Sequence, residues 1–518
     1  MEEALIILNA AVSGMFHVFS WPVFPMMMVG ICVGMFLGLV PGLGGLIGFA
    51  LLIPFALVME PITGVAFLLG MSAVVTQTDT IPAVILGVPG TSAAMATSLD
   101  GYPMAKRGEA GRALCASYYA SIFGTIVAAG LFILLLPILR AVIFAFGQPE
   151  FFMLILLGLM LAGSLAGNSL ARGLIMAGFG LLLAMVTLET SIGAPRYAGE
   201  IIYLWEGIPL IPVVLGLFAI PEVLDLARRG TTISATNVDT RVSGLWQGLV
   251  DNLKNWWLII RASTLGALAG FIPGLGGQVA EWLAYGTAVA SDKDPASYGK
   301  GNVRGVIAPE AGTAAQKPGA LVPTVVFGIP GNAGMALTLS VFLIFGLTPG
   351  PDMITSKLDV TFGMIWVIVV ANIIAAILAL VLQRWLILIC YLRATILVPI
   401  VLGTMLTGAT MANQSFGDVA LFLCFGFLGY LFKHTDWPRV PLIMGLIMGG
   451  LAEKYLFLSF DLHGWTWLWN RPLVWVIALV IFLSVFFPPM LRHYRARREG
   501  KAGTPAQVSG VKVSGYDE

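Results

Sequence analysis

The stretch "LVPGLGGLIGFA" at residues 39–50 returns almost unchanged as "FIPGLGGQVAEW" at residues 271–282, 232 positions later. Each copy ends a run of apolar residues. Proline cannot donate a backbone hydrogen bond, and it turns the residue before it away from helix. Gly42, Gly44 and Gly45 follow Pro41, and Gly274, Gly276 and Gly277 follow Pro273, so the backbone is freed twice. A helix should stop at each motif and a second, shorter one begin. A new helix N-terminus exposes N–H groups and a partial positive charge, which suits an anion. The competing reading is a packing kink between crossing helices. Two copies, each inside a broken apolar unit, favour the site.

The setting of these motifs is lipid. The chain has 518 residues, 58% hydrophobic and 11% charged, with a mean hydropathy of +0.92. Soluble proteins carry about a quarter charged residues. A polar surface for a core of this size is missing, so lipid is the solvent over most of the length. The net charge of +1 gives no pull on nucleic acid. The start, "MEEALIILNA", is acidic and unlike a cleaved secretory signal, and no Lys or Arg precedes Lys106. Cys32, Cys115, Cys390 and Cys424 are scattered through apolar stretches and read as small buried hydrophobes. His17, His434, His463 and His493 have no metal-ligand spacing. No GxSxG, HExxH or Walker loop occurs, which argues against hydrolysis of ATP by this chain.

About twelve membrane helices are expected. Candidates for full spans are 113–136, 149–166, 172–188, 208–226, 359–382, 417–432, 440–456 and 472–491. The apolar segments 23–58, 61–98, 256–290 and 306–346 are broken by Pro and Gly. Broken backbone at membrane depth is tolerated only inside protein or beside a watery cavity, so these four segments point to a site. Basic connections at 101–112, 227–261 and 433–439, and a basic tail from Arg492, belong in the cytoplasm by the positive-inside tendency.

The halves match further. "GVPG" (87–90) recurs as "GIPG" (328–331), and "LGLMLA…GLIMAG" (157–178) resembles "FGFLGY…PLIMGL" (425–446), with Gly158/Gly426 and Leu174/Leu442 both 268 apart. Paired interrupted helices are the signature of many secondary transporters. Equivalent loops carry opposite charge bias: "DGYPMAKRG" against "GLTPGPDMITSK", and "GNSLAR" against "KHTDWPR". That points to an inverted repeat. An extra apolar segment at 395–410 in the second half leaves the parity of the count open.

Candidate site residues follow from the breaks. The Pro-Gly turns are followed by Thr91, Ser92 and Asn332, each placed either to cap a new helix or to touch a substrate. "VVTQTDTIP" (74–82) sets Thr76 and Asp79 among apolar residues, and "GVIAPEAGTAAQKPG" (305–319) sets Glu310, Thr313 and Lys317 among small ones. Charge at membrane depth is costly and faces a cavity or a partner. Asp79 would bind a cation, carry a proton or pair with a base. The compact charged loop 290–304 reads as a gate or as a solvated connector.

These residues resemble the large permease subunit (TctA) of bacterial tripartite tricarboxylate transporters. The resemblance covers roughly residues 20–490. It rests on the two "PGLGG" motifs, "DGYPMAKRGEAGRAL", "EGIPLIPVVLGLFAIPEVL" (206–224), "DKDPASYGKGNVRGVIAPEA" (292–311) and "VPTVVFGIPG" (322–331). It implies a multi-pass protein of the bacterial inner membrane. Its partners would be a small membrane subunit (TctB-like) and a periplasmic solute-binding protein (TctC-like). Together they import an organic anion such as citrate by alternating access, coupled to a gradient of Na+ or H+, without ATP.

The chain also departs from the family pattern. Gln77, Thr78, Asp79 and Thr80 stand where Tyr-Gly-Gly-Ser is common, and Gly87 stands for an Asn. Glu310, Ala311, Gly312, Thr313 and Ala314 replace a common Glu-Ala-Ala-Asn-Asn, and Lys317 replaces a neutral residue. The cargo is then either a tricarboxylate or a different small solute. A buried Asp79–Lys317 pair would explain the two charges together.

The reading is an all-α polytopic membrane protein with two inverted repeats and re-entrant helical hairpins. The first repeat covers 1–226, a cytoplasmic connector 227–255, the second repeat 256–491 and a disordered cytoplasmic tail 492–518. Gly42, Gly44, Gly45, Thr76, Thr91, Ser92, Gly274, Gly276, Gly277, Thr313 and Asn332 would bind the substrate, and Asp79, Glu310 and Lys317 are buried charges placed for coupling. An enzyme or receptor would need a convergent catalytic set, which is not visible. A passive channel would differ by failing to accumulate its solute. No catalytic residue, metal site or bound cofactor is expected.

Overall fold

Lipid offers no partner for a bare N–H or C=O, so apolar runs of this length must bond their backbone internally. The computed structural model describes residues 2–40, 44–165, 169–188, 194–229, 244–273, 275–390, 394–410 and 413–484, and these are overwhelmingly helical. The first half holds α1 (Glu2–Val18), α2 (Val23–Leu39), α3 (Gly45–Ala56), α4 (Pro61–Thr78), α5 (Thr80–Leu86), α6 (Met95–Lys106), α7 (Ala110–Phe144), α8 (Gln148–Leu165), α9 (Leu170–Ala184), α10 (Leu210–Val214) and α11 (Ile220–Arg229). The second holds α12 (Leu245–Lys254), α13 (Trp256–Phe271), α14 (Gly276–Ala290), α15 (Arg304–Phe327), α16 (Ala333–Ile344), α17 (Leu358–Ile389), α18 (Ala394–Thr410), α19 (Phe416–His434) and α20 (Arg439–His463). A π turn, Leu215–Ala219, links α10 to α11. A last apolar helix covers Pro472–Ser484.

Among the described residues, five helices are long and apolar enough to cross a membrane: Pro61–Leu86, α7, α17, α19 and Arg439–Asn470. The pair α1–α2, bent by 70°, makes a sixth. Other apolar helices are shorter, and this is where a hydropathy count and a count of straight spans part. α3 has 12 residues. At 1.5 Å per residue that is about 18 Å, against roughly 30 Å of hydrocarbon.

The two motif copies open two equivalent helix crossings. α2 lies along α4, and α13 along α15. A Cβ on Gly34 would stand 2.4 Å from the Met71 carbonyl oxygen, and one on Gly266 would stand 2.1 Å from that of Gly312. One turn on, Gly38 faces the Val75 carbonyl at 2.4 Å and Gly270 that of Gln316 at 2.3 Å. Gly34/Gly266 and Gly38/Gly270 are 232 apart, and Met71/Gly312 and Val75/Gln316 are 241 apart. Glycines one turn apart let the backbones touch, which is how helices associate where lipid removes the hydrophobic drive.

The halves interlock. α7 packs on α15 of the second half, and α17 packs on α4 of the first. α1 lies on α17, and α12 lies on α7. The second contact holds the region before α13 in place: Arg112 donates to both carboxylate oxygens of Asp251 at 2.6 and 3.1 Å, and Asn252 donates to the Ala116 carbonyl at 2.9 Å. A second group forms where α9 packs on α20, while α19 covers the π turn.

Candidate substrate cavity

Each hairpin turn is built by the same local chemistry. α5 ends at Gly87 and α15 at Gly328, both with φ of +68°. The left-handed position closing a helix is taken by Gly or Asn. The Gly87 departure noted from the sequence is therefore a change between two residues suited to this cap. The next glycines dive against the ends of the broken helices. A Cβ on Gly90 would lie 2.7 Å from the Gly38 carbonyl and from Asp79 Cβ, and one on Gly331 would lie 2.6 Å from the Gly270 carbonyl and 2.8 Å from Ala320 Cβ. The repeated motifs thus meet in space: the Pro-Gly turn of each hairpin seats on the helix that PGLGG interrupts.

Thr91 and Asn332 then cap the new helices. Thr91 Oγ1 accepts from the Ala93 N–H at 3.2 Å, and Asn332 Oδ1 accepts from the Met335 N–H at 2.9 Å. Both also line a cavity of about 850 Å³. Gly44, Gly45, Thr76, Ser92, Gly276, Gly277, Thr313 and Lys317 join them there. Of the residues selected from the sequence, Asp79 and Glu310 lie behind this wall, and Gly42 and Gly274 fall outside the described residues. Extending the 241-residue offset pairs Ser72 with Thr313, Thr76 with Lys317 and Thr91 with Asn332, all on the lining. The same offset pairs Asp79 with Ala320.

The opposite wall comes from the second group of helices. Phe218 and Glu222 of the π turn and α11 face Lys433, Trp437 and Arg439 across the cavity end. The charges there are matched: Lys433 Nζ lies 2.6 Å from carboxylate oxygens of both Glu222 and Asp225, and Arg439 donates to Glu222 at 3.3 Å and to the Leu217 carbonyl at 3.0 Å.

Three acids sit behind the hairpin wall. Asp79 is fully buried; Oδ2 accepts from the Thr91 hydroxyl, and Oδ1 has no partner among the described residues. Glu310 Oε1 accepts from the Thr80 and Thr97 hydroxyls, each at 2.8 Å, and Oε2 from Ser121 at 3.4 Å. Glu281 was not selected from the sequence. Its Oε1 accepts the N–H groups of Ala96 and Thr97 at 2.7 and 3.1 Å, and its Oε2 has no partner among the described residues. An acid inside the apolar half-helix after PGLGG was the available signal.

The expected Asp79–Lys317 pair is not made. Lys317 Nζ donates instead to the carbonyls of Ser72, at 2.6 Å, and Ala73, at 2.5 Å. The crossing of α15 with α4 sets Lys317 beside residues 72–73, more than a turn before Asp79, so main-chain oxygens are the nearer acceptors. The charged loop after α14 is also more fixed than a free gate. Asp100 Oδ1 accepts the N–H groups of Gly301 and Asn302 at 2.8 and 2.9 Å, and Oδ2 accepts from the Tyr285 hydroxyl at 3.0 Å. Arg107 donates to the Lys300 and Gly301 carbonyls at 2.7 and 2.5 Å.

The family model for the tripartite tricarboxylate transporter TctA family matches residues 24–444, which takes in both motif pairs and the whole cavity. The chain belongs to the TctA family. A relative from Agrobacterium vitis, described as "Uncharacterized 52.8 kDa protein in TAR-I ttuC' 3'region", is 31% identical over 432 residues, 83% of this chain and 85% of its own. A second from the same organism, "Uncharacterized protein in TAR-II ttuC' 3'region", is 31% identical over 191 residues, 37% of this chain and 79% of its own. No solved structure matches the chain significantly. The family is one of membrane transporters, in keeping with the apolar helices.

Proposed function

We propose that the chain is the large permease subunit of a binding-protein-dependent secondary transporter that imports a small organic anion, and that the 850 Å³ cavity holds the cargo. The observation that carries this is the convergence of helix N-termini. The starts of α3 and α14, and the turns that open α6 and α16, all reach the same cavity. The starts of α3 and α14 carry no side-chain cap, whereas Asn332 caps α16 and Glu281 takes the first N–H groups of α6. Negative charge near an open start gains about 0.3–1 kcal/mol, more where water is scarce. Two uncapped starts on one space, α3 and α14, favour a carboxylate over a neutral or cationic solute.

The mechanism follows from the two walls. The hairpins and the short helices move as one body against the group built on α8–α11 and α18–α20, exposing the cavity to either side in turn. An inverted repeat supplies two related end states of similar energy. Asp79 and Glu310 take up the coupling ion, Na+ or H+, because neither has a basic partner among the described residues. The partners are a small membrane subunit and a periplasmic solute-binding protein, and the site of action is the bacterial inner membrane. Thr313 and Lys317, where the lining departs from the family pattern, favour a cargo other than a tricarboxylate as the second reading.

The test is uptake of labelled citrate, succinate and malate by vesicles holding the chain, its small membrane partner and the binding protein. Accumulation driven by an imposed Na+ or H+ gradient is the expected result. Equilibration without accumulation would make the chain a channel and refute the proposal.

A further inference from the structure

Lys317 differs in kind from the other cations of the cavity. Lys433 and Arg439 stand on the same lining, but both are engaged by Glu222. Lys317 is 7% exposed and meets no carboxylate within ion-pairing distance among the described residues. An ammonium has three N–H donors. Two are spent on the Ser72 and Ala73 carbonyls, and no third partner occurs among the described residues. A buried charge is stable only when its donors are met and its charge is balanced. Here the geometry is fixed from two sides, and Asp79 and Glu310 act on the charge only from beyond ion-pairing distance.

The repeat sharpens the point. Thr76 is the mate of Lys317 and lies on the same cavity. The frame is thus nearly two-fold, while its chemistry is not: one side carries a hydroxyl and the other a fixed positive charge. A cargo with a carboxylate at one end would be oriented by that difference.

We propose that Lys317 is the anchor for a cargo carboxylate, with its third N–H donating to one carboxylate oxygen and its charge selecting the ionised acid over the corresponding amide. This rests on the reading of the cavity as the cargo site. A charge-assisted bond in a site of low dielectric is strong and directional, and Lys holds it as a point charge on a stem pinned by α4.

The test uses the full chain in lipid nanodiscs and calorimetric titration with succinate and with succinamide, its diamide. The wild type is expected to bind succinate more tightly. Lys317→Gln is expected to weaken succinate by roughly 10- to 100-fold and to leave succinamide little changed. A purely structural role would weaken both alike. Should Lys317→Gln not assemble, Lys317→Cys is titrated before and after aminoethylation, which rebuilds an ammonium of similar reach. Recovery of succinate affinity supports the anchor, and no recovery overturns it. An assembled Lys317→Gln that binds succinate as the wild type does would also overturn it. If the wild type binds neither probe, nor citrate, the anion reading of the cavity falls and the anchor with it. That outcome is distinct from loss of discrimination alone.

Discussion

Replacing Gly331 with Ala tests the central packing device. The added Cβ would stand 2.6 Å from the Gly270 carbonyl oxygen, with Ala320 Cβ and Cα at 2.8 and 2.9 Å. Ordinary contact begins near 3.4 Å, so the hairpin turn must retreat by about 0.8 Å from backbone and from a side chain that cannot rotate away. Overpacking of this kind costs about 1–3 kcal/mol. The same displacement moves Asn332, which caps α16 and lines the cavity. Gly286 is the control: it lies in α14, and a Cβ there meets nothing within 4 Å. Gly286→Ala should be neutral or gain up to about 1 kcal/mol from helix propensity. Both variants would be unfolded with denaturant in mixed micelles, and uptake measured alongside. The expected pattern is a loss of stability and of uptake for Gly331→Ala alone. Equal stability of Gly331→Ala and wild type would refute the seating of the turn on the broken helix.

Other perturbations follow from the same contacts. Asp100→Ala removes the acceptor of two N–H groups and of the Tyr285 hydroxyl, so limited proteolysis at Lys293 and Lys300 should speed up by on the order of tenfold or more. Unchanged cleavage would show that the loop's other contacts, from Arg107, Tyr298 and Arg304, hold it without Asp100. Glu310→Gln keeps an oxygen to accept from the Thr80 and Thr97 hydroxyls but carries no charge. Gradient-driven accumulation should fall by roughly 5- to 100-fold while exchange of preloaded cargo persists. Loss of both would mean that Glu310 serves the fold and not the coupling. Arg112→Ala strips α12 of its bidentate tie to α7. The pair is partly exposed, so the stability loss should stay near 1 kcal/mol; a loss several times larger in chemical denaturation would make α12 integral to the core.

Much of this was readable in the chain because Pro and Gly punctuate structure locally. The PGLGG and Pro-Gly turns announced where helices stop, and the hydroxyl and amide after each turn announced the caps at Thr91 and Asn332. What resisted reading depended on how helices cross. Lys317 and Asp79 look like partners in a list of buried charges, but the register of α15 on α4 brings the ammonium to Ser72 and Ala73. Ser72 and Gln316 sit inside helical stretches with no break to mark them, yet both line the cavity. The spacing of GVPG and GIPG already contained the 241-residue offset. Carried back along α4 and α15, it pairs Ser72 with Thr313 and Thr76 with Lys317 by spacing alone. Asp100 was hidden for a different reason: besides the Tyr285 hydroxyl, its partners are two backbone N–H groups about 200 residues away, which no side-chain pattern encodes.

The most direct measurement is cargo protection of the two hairpin caps. Thr91→Cys and Asn332→Cys would be placed singly in the assembled transporter, and the rate of alkylation by a small charged reagent followed with and without saturating citrate or succinate. Ser356→Cys, on an exposed turn away from the cavity, reports any general effect. A cavity that holds the anion between both hairpins predicts that cargo slows both cap cysteines by on the order of tenfold and leaves position 356 alone. Cargo that is demonstrably transported, yet leaves both cap rates unchanged, would contradict the account.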